Sequence, residues 1–102
     1  MTWVRACAAS DVADGEAVVV ERAPLPPIAV FNIDGEFFAT DDTCTHDSYS
    51  LADGYIDGAV VECPLHMAKF DIRTGKVLSL PANRDLTPYP TKIDDGVVYV
   101  DV

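Results

Sequence analysis

The chain has 102 residues, 49% of them hydrophobic, with 17 acidic against 7 basic side chains and a net charge of −10. That length fits one domain with a core and little room for a second function. The charge argues against nucleic acid and against an anionic membrane surface as partners, since both repel an acidic protein. The longest apolar runs, such as "AVVV" and "IAVF", fall far short of the roughly 20 residues a bilayer span needs. The N-terminus lacks a basic region followed by a long apolar stretch, because Arg5 and Asp11 interrupt it, so no signal peptide is read there. A cytoplasmic protein with reduced thiols is expected.

In chain order the periodicity is that of strands. "WVRAC" (3–7) and "EAVVVE" (16–21) read as strands joined by the polar turn "SDVADG". "RAPLPP" (22–27) reads as a proline-rich loop, because proline cannot donate to a ladder. "IAVFNI" and "EFFAT" flank Asp34-Gly35, a strong two-residue hairpin signal. "YIDGAVVEC" carries a further Asp-Gly turn at 57–58 and leads into a strand ending at Cys63. "KFDIR" and "KVLSL" flank Thr74-Gly75, another expected hairpin. "PANRDLTPYP" reads as an irregular return, and "TKI" and "VVYVDV" close the chain around "DDG". No repeat, no low-complexity tract and no helix longer than a turn is read. The expected class is all-β, with many short antiparallel strands.

Two of the three cysteines and both histidines stand as Cys44-x-His46, a gap of sixteen residues, then Cys63-x-x-His66. Each pair falls in a loop, the first after "FFAT" and the second where "AVVE" ends. Two loops, each with one thiol and one imidazole, could face each other across a single site. Soft thiolates with imidazoles select zinc or an iron–sulfur centre. Zinc fingers usually pair like with like, C-x2–4-C then H-x3–5-H, whereas each close pair here is mixed. That order does not forbid a structural zinc. A catalytic zinc fits less well, because four protein ligands leave no open position for water. Cys7, in the first strand, is given no role; free cysteine is usually a small buried hydrophobe.

C-x-H followed by C-P-x-H resembles the Rieske motif. "DDTCTH", "CPLH", "KFDIRTGK" and "LPA" at 80–82 extend the resemblance over most of residues 40–82. It implies a Rieske fold: antiparallel sheets with a small cluster-binding subdomain at about 42–82, formed by two loops, on a basal β domain of about 1–41 plus 83–102. It implies one Rieske-type 2Fe–2S cluster, with Cys44 and Cys63 on one iron and His46 and His66 on the other.

The kind of Rieske protein follows from what stands around those residues. Members from respiratory and photosynthetic complexes carry an extra loop disulfide; the matching positions here are Tyr49 and Leu65. High-potential members carry Ser and Tyr hydroxyls where this chain has Ala68 and Phe70. Hydrogen bonds to cluster sulfur favour the reduced state, so their loss implies a potential near the lower end of the Rieske range, on the order of −150 mV. Asp47 and Met67 stand where a small residue is common after each histidine, and Pro81 matches a third, shielding loop. Asp47 would slightly favour the oxidised state or be a solvated loop acid, and Met67 would cover the site or fill the core.

Oxygenases of the family need a further mononuclear iron, but both histidines are already committed, and no G-x-G-x-x-G marks a nucleotide domain. The resemblance thus points to the small Rieske ferredoxins of bacterial aromatic-ring-hydroxylating dioxygenase systems. It implies a soluble, monomeric one-electron carrier that is not itself catalytic, between an FAD-dependent, NADH-oxidising ferredoxin reductase and a Rieske terminal oxygenase. A Rieske small subunit of a non-oxygenase system, such as a nitrite reductase, is the alternative left open.

Overall fold

Alternation along one strand organises the molecule. In the computed structural model, which describes residues 2–22, 25–44, 49–64, 68–79 and 84–102, the strand β3 (Leu25–Ile33) is buried on both faces from Ile28 onward. Side chains of a strand alternate in direction, so Ile28 and Val30 enter one core while Ala29, Phe31 and Ile33 enter another. The neighbouring strands β2 (Glu16–Arg22) and β4 (Glu36–Asp41) keep the same register. Ala17, Phe31 and Phe38 form a row on one face, and Val18, Val30 and Ala39 form a row on the other. This sheet therefore has an apolar side chain set on each face and a separate layer covering each.

On one face lies the sheet of β1 (Trp3–Ala8), β9 (Thr91–Asp94) and β10 (Val97–Asp101), ordered β1-β10-β9 and contributing Cys7, Val98 and Val100. The other core holds Val61 and Phe70 from a small sheet of β5 (Tyr55–Asp57), β6 (Val60–Glu62) and β7 (Lys69–Asp71), in that order. All pairings are antiparallel, and the helical content of the described residues is two 3-10 turns, Ala9–Asp11 and Leu51–Asp53. The all-β expectation is met.

Two hairpins follow their local chemistry directly. Asp34-Gly35 and Asp95-Gly96 both carry positive φ at both residues (55° and 86°, 52° and 74°), the backbone a tight two-residue turn needs for the strand twist. The 57–58 turn is shifted by one residue: Asp57 still pairs with Val60, and Gly58-Ala59 form the bend. Gly58, with φ of 58°, takes the first bend position, where a positive φ is required.

Three readings are corrected. "RAPLPP" does not stay a loop, because Leu25, Pro26 and Pro27 already belong to β3, while Ala23 and Pro24 lie outside the described residues. The prolines fit because the register jumps there: Val20 pairs with Ile28 and Arg22 with Leu25. Pro26 and Pro27 together thus oppose the single residue Glu21, a bulge that asks for no regular ladder donor. "KVLSL" does not form a strand: among its described residues only the isolated bridge Phe70↔Val77 is made, with residues 71–76 between its two partners, and Leu80 lies outside them. The Leu78 amide still donates to the Lys69 carbonyl at 2.7 Å, but the Lys69 amide goes to Ser79 Oγ (3.0 Å) and not to the Leu78 carbonyl, so the ladder stops there. Finally, "PANRDLTPYP" contains β8 (Pro88–Tyr89), which pairs with the edge of β4 through Ala39↔Tyr89 and Thr40↔Pro88.

Candidate metal centre

Beyond β4 the chain passes Asp42 and Thr43 to Cys44, whose amide donates to the carbonyl of Tyr49 at 3.0 Å. Beyond β6 it reaches Cys63, whose amide donates to the carbonyl of Ala68 at 2.8 Å. Each cysteine thus begins a segment closed by the same bond, to the residue five positions on. Each closed segment contains one histidine. His46 and His66 lie outside the described residues (45–48 and 65–67), as do Asp47, Leu65, Met67 and Pro81.

Both cysteines are buried, Cys44 at 3% and Cys63 at 0% exposure, in the same apolar core and with no disulfide. The two segments meet at their bases. Gly54, just after the 3-10 turn that follows the first segment, abuts the carbonyl oxygen of Glu62, the residue before Cys63. Leu51, fully buried, packs into the core that holds both cysteines. Ala68 and Phe70 are also fully buried in it, and neither side chain has a hydroxyl to donate.

Behind the second segment, Gly75 (φ 78°) stands so close to the carbonyl of Leu86 that no Cβ could be added, while the Leu86 amide donates to the Gly75 carbonyl at 2.7 Å. Asp85 Oδ1 accepts from the Val77 amide at 2.8 Å, which fastens the described part of the 79–86 return to the bend after β7.

Cys7 is in the other core, on the far face of the central sheet. Burial raises its thiol pKa first and the nearby Asp11 carboxylate second, with Arg5 opposing. A thiol kept protonated is a poor ligand and nucleophile.

Sequence reasoning passed over Asp42, Gly54 and Asp85. Gly54 had a local signal, the Asp53-Gly54 dipeptide. Asp42 and Asp85 had none that separates them from the other acids, because their partners lie on other segments.

An all-β fold that brings two buried cysteines to the bases of two matched, closed segments defines a small β protein with two thiols set in one core. The chain matches the Rieske [2Fe-2S] domain family over residues 2–90. It is 51% identical over 102 residues to the biphenyl dioxygenase ferredoxin subunit of Pseudomonas sp. (strain KKS102), covering 99% of this chain and 93% of that one. Among solved structures, the Sphingomonas yanoikuyae B1 ferredoxin superposes with a TM-score of 0.93 at 44% identity, over 99% of both chains. A chain from the complex of reduced oxygenase and oxidized ferredoxin in carbazole 1,9a-dioxygenase superposes at 0.91 with 41% identity, covering 96% of this chain and 91% of that one.

This chain belongs to the Rieske [2Fe-2S] domain family, and its cofactor is a Rieske-type 2Fe–2S cluster. The described residues fit that group. Cys44 and Cys63 offer two soft sulfur donors in a dry apolar setting, with one histidine between each cysteine and its closing residue.

Proposed function

We infer that this protein is the ferredoxin of an aromatic-ring dioxygenase system, a one-electron carrier between an FAD-dependent ferredoxin reductase and a Rieske terminal oxygenase. The observation that carries it is the pair of buried cysteines, Cys44 and Cys63, at equivalent positions of two matched closures, in a chain so similar along its length to a biphenyl dioxygenase ferredoxin subunit.

In this reading Cys44 and Cys63 hold one iron and His46 and His66 the other, within a cluster-binding part of about 42–82 on a base of about 1–41 plus 83–102. When bound, such a cluster supplies a centre that takes up and gives up one electron. The chain's own part is to position, to shield and to tune. The shared apolar core keeps water from the two sulfur positions. Ala68 and Phe70 bring no hydroxyl of their own toward those positions, which favours a low potential, on the order of −150 mV. That suits a carrier reduced by a flavin enzyme. The charge of −10 favours brief encounters with basic partner surfaces, where fast association matters more than tight binding.

The protein is proposed to be monomeric, cytoplasmic and without catalytic activity of its own. No helix among the described residues is long and apolar enough to cross a membrane.

The experiment is an EPR spectrum of the dithionite-reduced protein, with iron and acid-labile sulfide assays. A rhombic signal with an average g-value below that of all-cysteine 2Fe–2S proteins supports the mixed ligand set. A colourless protein with zinc and no signal overturns it. Single turnover with a biphenyl-type reductase and oxygenase then tests the partners.

A further inference from the structure

The two closures are alike, but what supports them is not. Below Cys63 the flanking strands form a regular ladder, with Glu62↔Lys69, Val61↔Phe70 and Val60↔Asp71 in register. Below Cys44 there is only the isolated bridge Thr43↔Ser50, and β4 ends at Asp41, still paired with β3. The segment that returns from the first closure, entering the 3-10 turn Leu51–Asp53, is therefore not held by a backbone ladder.

Asp42 stands where that ladder is missing. It is 3% exposed, the one buried acid among the described residues. Its amide donates to the carbonyl of Pro27 at 3.1 Å, anchoring it to β3. Its carbonyl accepts from the Leu51 amide at 2.8 Å. Its Oδ1 accepts both the Ser50 hydroxyl at 2.9 Å and the Ala52 amide at 3.0 Å. A buried carboxylate is costly unless its hydrogen bonds are made, and all of these except the anchor go to the returning segment at Ser50, Leu51 and Ala52. A side chain thus ties down the returning segment on this side of the site, where a backbone ladder does so on the other.

We propose that Asp42 is a positioning residue for Cys44, its side chain replacing the absent ladder and fixing the Cys44 and Tyr49 ends of the first closure. The proposal rests on the reading of Cys44 as a cluster ligand. Groups that orient metal ligands through hydrogen bonds commonly change metal affinity by roughly 10–100-fold when removed.

The test compares Asp42→Ala, Asp42→Asn and Ser50→Ala in the full-length holoprotein. Asparagine keeps an oxygen acceptor at the Oδ1 position, whereas alanine keeps none. Two readouts are taken: hydrogen exchange at the Cys44 and Ala52 amides, and decay of the visible absorption under excess chelator. Asp42→Ala is expected to speed exchange at both amides and to speed cluster loss by at least about tenfold, with a broadened EPR signal. Asp42→Asn should stay near the parent on each readout, and Ser50→Ala should fall between. Should Asp42→Ala not fold, the order of the other two decides: Ser50→Ala more labile than Asp42→Asn supports the role, and the reverse overturns it. Asp42→Asn as damaging as Asp42→Ala, or Asp42→Ala with unchanged exchange and cluster lifetime, also overturns it. A parent protein without iron or sulfide would sink the ligand reading instead, while amide exchange would still report on the bonding around Asp42.

Discussion

Gly54 stands against the carbonyl oxygen of Glu62 with no space between them for a Cβ. The second obstacle, the Leu51 carbonyl, lies 3.1 Å from where that Cβ would be. Both are backbone atoms, so neither can swing aside as a side-chain tip would. This contact sets the base of the first closure against the residue that precedes Cys63. Gly54→Ala must therefore push apart the segments that carry Cys44 and Cys63. We expect a destabilisation of about 1–3 kcal/mol, the usual cost of forcing extra volume into a packed site, together with lower iron occupancy. Urea denaturation and iron assay check it; a fully loaded variant of parental stability would show that the bases of the closures need not touch.

Ala68 and Phe70 invite the opposite kind of change, a gain. Both are fully buried in the core that holds Cys44 and Cys63. A hydroxyl introduced by Ala68→Ser adds little volume and can donate to a nearby sulfur. A hydrogen bond of roughly 1 kcal/mol made preferentially to the reduced state raises a one-electron potential by about 40 mV. Redox titration monitored by circular dichroism measures it. A potential that does not move would mean that position 68 faces away from cluster sulfur.

Tyr89 gives a pH dependence. Its hydroxyl donates to Asp41 Oδ1 at 2.7 Å, and Arg22 donates to the Tyr89 hydroxyl oxygen at 3.4 Å while lying over the ring. Burial raises the Tyr89 pKa above 10.0, helped by the hydrogen bond to Asp41 and by its charge, with Arg22 opposing. A group whose folded pKa is raised contributes stability below its unfolded pKa and loses it as pH rises through the folded value. The urea midpoint should therefore fall as pH rises from about 10. Tyr89→Phe should be less stable near neutral pH and flatter above 10, and a parallel fall in both proteins would exclude Tyr89 as the source.

The acidic surface should appear in kinetics before it appears in affinity. With a net charge of −10, encounter with a basic partner is accelerated at low salt and screened over about 8 Å at physiological ionic strength. Stopped-flow reduction by a dioxygenase-type reductase should slow several-fold as salt rises. A rate flat in salt would leave the charge with a role in solubility alone.

What the chain states locally, the sequence alone determined. Asp34-Gly35 and Asp95-Gly96 read as hairpins because positive φ at two successive residues is a demand those residue types meet by themselves. The Cys–His spacing points to the mixed-ligand centre proposed above, because ligand softness belongs to the side chain, whatever surrounds it. What depends on a distant partner was decided only in three dimensions. Pro26 and Pro27 could join β3 because a bulge placed them both opposite Glu21, and no local rule announces a bulge. β8 exists because the edge of β4 was available to Thr87–Tyr89, with the Asp41 amide donating to the Thr87 carbonyl at 3.0 Å. Asp42 looks in the sequence like any of 17 acids. Its place comes from Pro27, fifteen residues before it, and from Ser50 and Ala52 after it, which only the folded chain brings to one carboxylate.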